Sequence, residues 1–137
     1  DTYSYSGYLA MNDYLKKNGM SVNKFFSNSY FTHSHEESIN QVTNGTVKAA
    51  IVDDWALQYI NNNFPDIVLN IKIIKTFPEV ATGPVVTHKN YEEKDKIKEI
   101  LLSIDKDSAI KGTLSQLQIE KYEETKASDY PNLISED

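Results

Sequence analysis

Apolar residues recur along this chain at two spacings, and each switch between them marks a change of element. Leu9, Ala10, Tyr14 and Leu15 fall at helical spacing and are followed by Lys16, Lys17 and Gly19. This pattern predicts a helix over 7–18, capped by Ser4 or Ser6 and stopped by the glycine. A short helical turn over 22–26 leads to Ser29-Tyr30-Phe31-Thr32, which reads as a strand. Ser34 with Glu37 three residues later is a capping-box pattern, opening a helix that buries Ile39 and Val42 and ends at Asn44-Gly45. Val47 to Val52 is a short apolar run of the kind found in buried parallel strands. Asp53-Asp54 then cap a helix from Trp55 to Asn62. Ile67 to Thr76 is alternating and β-branched, hence a strand; Val85 to His88 is another, reached through the turn-rich stretch 77–84. Past Tyr91, a stripe of Ile97, Ile100, Leu101 and Ile104 restores helical spacing, and Ser108 is placed to cap one more helix through Leu114 and Leu117. The tail, Tyr122 to Asp137, is polar and reads as extended.

Strands alternating with helices predict an α/β layer, a largely parallel sheet flanked by helices. The length of 137 residues, with 39% hydrophobic and 25% charged positions, suits one globular domain. A net charge of −6 argues against a nucleic-acid or anionic-membrane surface. All 14 basic residues are lysine, so an oxyanion would have to be held without the guanidinium fork, by hydroxyls, backbone N–H groups and helix N-termini. Cysteine is absent, which removes disulfides, thiolate metal sites and a thiol nucleophile. No apolar run approaches the roughly 20 residues of a membrane helix. The chain opens on Asp1-Thr2-Tyr3 with neither initiator methionine nor signal peptide, and is read as a piece of a longer protein.

Taken singly, the polar groups have plain readings. Ser4, Ser6, Asp53 and Asp54 serve as helix caps, and Ser34 to Glu37 as a capping box. Trp55 and Tyr59, one turn apart, are packing residues. His33 and His35 with Glu36 lack a further ligand pair, so no metal is expected. Serine, histidine and aspartate occur without nucleophile-elbow glycines or any other catalytic arrangement, so neither an enzyme nor a cofactor is expected.

Taken in order, the same residues resemble the phosphonate-binding family of periplasmic solute receptors over nearly the whole chain. Ser4-Tyr5-Ser6-Gly7 matches that family's Ser-Thr-Ser-Gly helix start, and Lys16-Lys17-Asn18-Gly19 its helix end. Phe25-Phe26, Ser34-His35-Glu36, the stretch from Val42 to Ala50, Pro84-Val85-Val86, the helix end from Lys98 to Asp107, and Asp129-Tyr130 follow in the family's order. The resemblance implies one lobe of a type II periplasmic-binding fold over 1–86, with a hinge return and C-terminal helices over 87–137. The first lobe of the parent protein would be absent. It further implies an extracytoplasmic solute-binding component of an ABC importer, whether periplasmic or a surface lipoprotein. Such a receptor traps a small phosphonate, phosphate or phosphite in an inter-lobe cleft and presents it to the permease. The residues implied at the ligand are Ser4, Tyr5, Ser6, Gly7 and His35, with Asp53 as an acid. Tyr5 departs from the usual threonine and Lys48 from the usual aspartate. The alternative is a ligand-sensing extracytoplasmic domain of a signalling protein with the same fold.

Overall fold

Ser4 leaves the extended backbone region and accepts the Gly7 N–H on its Oγ, which starts a π-helical turn, Tyr5–Leu9. That turn runs directly into α1, Ala10–Lys17, whose apolar face buries Ala10 and Leu15. Gly19 takes φ 71° just past the helix, and the Gly19 and Met20 N–H groups close back onto the carbonyls of Lys16 and Leu15. This is a Schellman stop, which glycine adopts without the steric cost of a Cβ. The computed structural model describes residues 1–126, 129 and 130, which divide into two compact units: residues 1–77, and residues from Pro78 onward.

In the first unit α2, Val22–Phe25, follows α1. Next come α3, His35–Thr43, α4, Asp54–Asn63, and α5, Pro65–Val68, which pack on one another around Ile39 and Ile60. The Thr43 hydroxyl donates to the Ile67 carbonyl at 2.8 Å and ties the end of α3 to α5. Gly45, at φ 72°, repeats the stop seen at Gly19: its N–H and that of Thr46 return to Val42 and Gln41. Pro65 sits in the first turn of α5, where its fixed φ suits a helix start and its missing N–H costs nothing.

The second unit contains α6, Lys94–Ser103, a 3-10 turn, Ile104–Lys106, and α7, Lys111–Gln116, with Leu114 buried. Ser108 does not cap the last helix. The Asp107 carboxylate takes the Ala109 N–H at 2.9 Å, and α7 starts later, without a side-chain cap. Lys98 pairs with Glu124 at 3.0 Å. Of the polar tail expected to be extended, residues 122–126 lie outside any helix, while 127, 128 and 131–137 fall outside the described residues. Among the described residues no helix is long and apolar enough to cross a membrane.

The expected parallel sheet is not there. The described residues form helices and irregular segments with no strand, so the α/β reading is corrected to a helical one. Residues 29–32, 48–52, 71–76 and 85–88 have the composition of strands but no ladder. Residues 72–87 neither donate nor accept a backbone–backbone hydrogen bond among the described residues. Ile74 and Val86 are each 80% exposed. The physical difference lies in where the backbone finds its partners. A helix satisfies its own N–H and C=O groups, whereas a strand needs a neighbour, and β-branched alternation cannot supply one.

Candidate functional site

The residues named from the sequence all lie in the first unit, and the structure brings most of them to one place. Ser4 caps the first turn, and Tyr5, Ser6 and Gly7 form it, all of them half-buried. Gly7 is tightly approached: a Cβ there would lie 2.9 Å from Ser4 Oγ, 3.4 Å from Ser4 Cβ and 3.9 Å from His35 Cε1. The His35 ring therefore lies beside the start of the first helix, at ordinary van der Waals distance from a Cβ at position 7, whereas the close approach there is to the Ser4 hydroxyl.

His35 is the first residue of α3, with Ser34 as its cap; Ser34 Oγ accepts the Glu37 N–H at 3.2 Å. The other half of the expected capping box is not formed, because the Glu37 carboxylate accepts instead from Gln41 at 2.7 Å. On its far side the His35 ring reaches α4. Nδ1 accepts the Asp53 N–H at 3.2 Å. A backbone N–H can only donate, so Nδ1 of the neutral ring carries no proton and Nε2–H is the available donor.

Asp53 is the cap of α4, its carboxylate accepting the Trp55 N–H at 3.0 Å. Asp54 lies close to the same N–H at 2.9 Å. The Asp53 carboxylate is thus engaged as a helix cap, and its N–H orients the histidine.

The first turns of three helices consequently meet around one imidazole. Each contributes the partial positive charge of its N-terminus and its unfilled donors. The N–H groups of Tyr5, Ser6, His35 and Glu36 make no hydrogen bond among the described residues. Such a group of donors, with hydroxyls on Ser4, Tyr5 and Ser6 and an imidazole N–H, is chemically suited to an oxyanion. No lysine takes part in these contacts. Among the described residues no three His, Asp or Glu side chains are grouped as a metal site requires.

Sequence reasoning passed over two features. Tyr8 and Phe31 meet edge to face, with ring centroids 5.5 Å apart, beside the Ser4–Gly7 turn in sequence. Thr32, read as the end of a strand, instead holds the turn before α3. Its hydroxyl donates to the Ser34 carbonyl at 2.8 Å and lies 2.6 Å from the Ser38 hydroxyl. Neither contact has a local periodicity that would announce it.

The structure thus sets a half-buried ring between helix starts, with hydroxyls and backbone N–H donors beside it. The chain matches the family model described as ABC transporter, phosphonate, periplasmic substrate-binding protein over residues 1–130, and it belongs to that family. It is therefore a substrate-binding component of an ABC phosphonate transporter, a transport protein class and not an enzyme class. Membership places it outside the cytoplasm and gives it a small ligand and permease subunits as partners. No curated protein matches the chain.

Proposed function

We propose that the chain captures a small phosphorus oxyanion (a phosphonate, phosphate or phosphite) at the helix starts joined by His35. Ser4, Tyr5 and Ser6 would supply hydroxyl and backbone donors, Gly7 the close approach, and His35 its Nε2–H. Asp53 acts chiefly by holding that tautomer through its N–H, and its carboxylate, which caps α4, is the acid proposed for a ligand amino group. The observation that carries this reading is the placement of His35, whose Nδ1 accepts the Asp53 N–H while its Cε1 lies 3.9 Å from where a Cβ on Gly7 would stand.

Capture is binding without chemistry, in the inter-lobe cleft of a receptor that closes on its ligand. The exposed, unpaired β-prone stretches around Ile74 and Val86 support a second lobe that completes such a cleft. A lipid anchor would keep such a receptor at the outer face of the membrane, beside its permease.

Thermal unfolding in the presence of methylphosphonate, phosphate, phosphite and aminoethylphosphonate, with sulfate as control, tests the proposal. A ligand at a hundred times its dissociation constant adds about 2.7 kcal/mol to stability and raises the melting temperature by several degrees. A rise confined to one or more phosphorus oxyanions and lost in His35→Ala is expected. An equal rise with sulfate, or one that survives His35→Ala, would remove His35 from the site.

A further inference from the structure

The loop before α3 turns back through His33 at φ 62°, a left-handed conformation that residues other than glycine seldom hold without support. The support is a cluster of two hydroxyls. Thr32 Oγ1 is 2.8 Å from the Ser34 carbonyl and 3.4 Å from the Ser34 N–H, so one hydroxyl clasps both backbone groups of a single residue. Ser38 Oγ lies 2.6 Å from Thr32 Oγ1 and 3.0 Å from the same Ser34 carbonyl. Two hydroxyl protons serve these contacts. If Thr32 donates to the carbonyl, Ser38 donates to Thr32, and both oxygens are used. Thr32 also takes over a task left undone, since Glu37 bonds Gln41 and leaves the cap's N–H to the threonine. Ser34 is the residue immediately before His35, so the clasp sets the direction in which the imidazole leaves the chain.

We propose that Thr32 and Ser38 are positioning residues for His35, holding the Ser34 turn so that His35 Nδ1 meets the Asp53 N–H and Nε2–H is presented to the ligand. The ligand half of this inference rests on the proposed oxyanion site; the positioning half does not. Thr32→Val keeps the shape of the side chain and removes the hydroxyl, and Thr32→Ser restores it.

The test is a long-range proton–nitrogen NMR correlation on the histidine ring of the whole chain, together with methylphosphonate affinity. The native protein and Thr32→Ser should show a single tautomer with the proton on Nε2. Thr32→Val should show a mixture of tautomers, faster exchange of the Asp53 amide and about tenfold weaker binding, the loss of roughly one hydrogen bond. Ser38→Ala should move both readouts the same way, and it carries the test should Thr32→Val fail to fold. Glu37→Gln should move neither. A folded Thr32→Val or Ser38→Ala protein that keeps the single Nε2 tautomer overturns the proposal. A tautomer change with unaltered methylphosphonate affinity keeps the clasp and sinks the oxyanion site.

Discussion

Gly7→Ala, made with and without Ser4→Ala, tests the geometry at the heart of the site. Alone, Ser4→Ala removes the oxygen that accepts the Gly7 N–H, and loss of such a cap costs about 1 kcal/mol. Gly7→Ala alone has two opposing effects. Alanine in place of a helical glycine gains about 0.5–1 kcal/mol, largely by restricting the unfolded chain. Yet the new Cβ would sit 2.9 Å from Ser4 Oγ, closer than such atoms approach, so the hydroxyl must shift and its bond to the residue 7 N–H is weakened. The two nearly cancel. Once Ser4 is already alanine the obstruction is gone, and Gly7→Ala should stabilise by its full 0.5–1 kcal/mol. The cycle therefore predicts a coupling of about 1 kcal/mol between the positions, of which the single variants give no hint. Urea unfolding with a common slope resolves a difference of this size. Effects that add to within about 0.3 kcal/mol would refute the reasoning, because they would mean that Ser4 Oγ does not stand over Gly7. Affinity in the same variants gives a second reading. The alanine methyl would meet His35 Cε1 at 3.9 Å, an ordinary van der Waals distance, so Gly7→Ala should alter methylphosphonate binding only through the shifted Ser4 hydroxyl.

Leu15→Ala should cost about 2–5 kcal/mol in urea unfolding, since this side chain is fully buried and its deletion leaves a cavity; a cost below about 1 kcal/mol would contradict that burial. Gly19→Ala and Gly45→Ala should each destabilise by about 1–2 kcal/mol, as both glycines have φ near 70° with open space around them, so the penalty is conformational; stabilisation by either would show a different helix stop. Lys121 and Glu123 pair at 2.6 Å, and this contact raises the lysine pKa and lowers that of the glutamate. By sign, the glutamate's contribution is present above its unfolded pKa and fades as pH falls through the folded one. The lysine's contribution is present below its unfolded pKa and fades as pH rises through the folded one. Both groups are fully exposed, so Glu123→Gln should leave the melting temperature unchanged at physiological salt, and a clear drop would show a more buried pair.

Helices were legible in this chain because their signals are local. Ser4, Ser34 and Asp53 announce helix starts, and each accepts a first-turn N–H in the structure. Gly19 and Gly45 announce stops for the same reason: a left-handed residue is inexpensive only without a Cβ. Ser108 misled because Asp107, one residue earlier, competes for the same turn and takes it. The strand readings failed as a group. Alternation in Ile71-Lys72-Ile73-Ile74 records a preference for extended backbone, but a ladder needs a second chain segment, and no sequence window contains its partner. Lys75 shows what fills the gap on one side: its ammonium lies 4.4 Å from the centre of the Tyr14 ring, a cation–π contact in place of a sheet neighbour.

The same distinction explains why the helix starts of the proposed site could be read from the sequence although the fold class could not. The donors proposed for an anion are mostly those of helix N-termini, and these are written in short motifs that survive whether or not a sheet lies beneath them. What the motifs do not contain is the relation between them. Nothing in Ser34-His35-Glu36 says that the ring will turn toward Gly7, and nothing in Asp53-Asp54 says that the backbone N–H will reach Nδ1 and choose the tautomer. Those facts depend on how α3 packs against α4 and on the Thr32 clasp, contacts between residues 18 and 6 positions apart. A helix start is a common feature; three of them around one oriented imidazole are not. The proposed oxyanion site accordingly turns on the placement of His35, and the Ser4–Gly7 cycle and the Thr32 variants each act on one side of that ring.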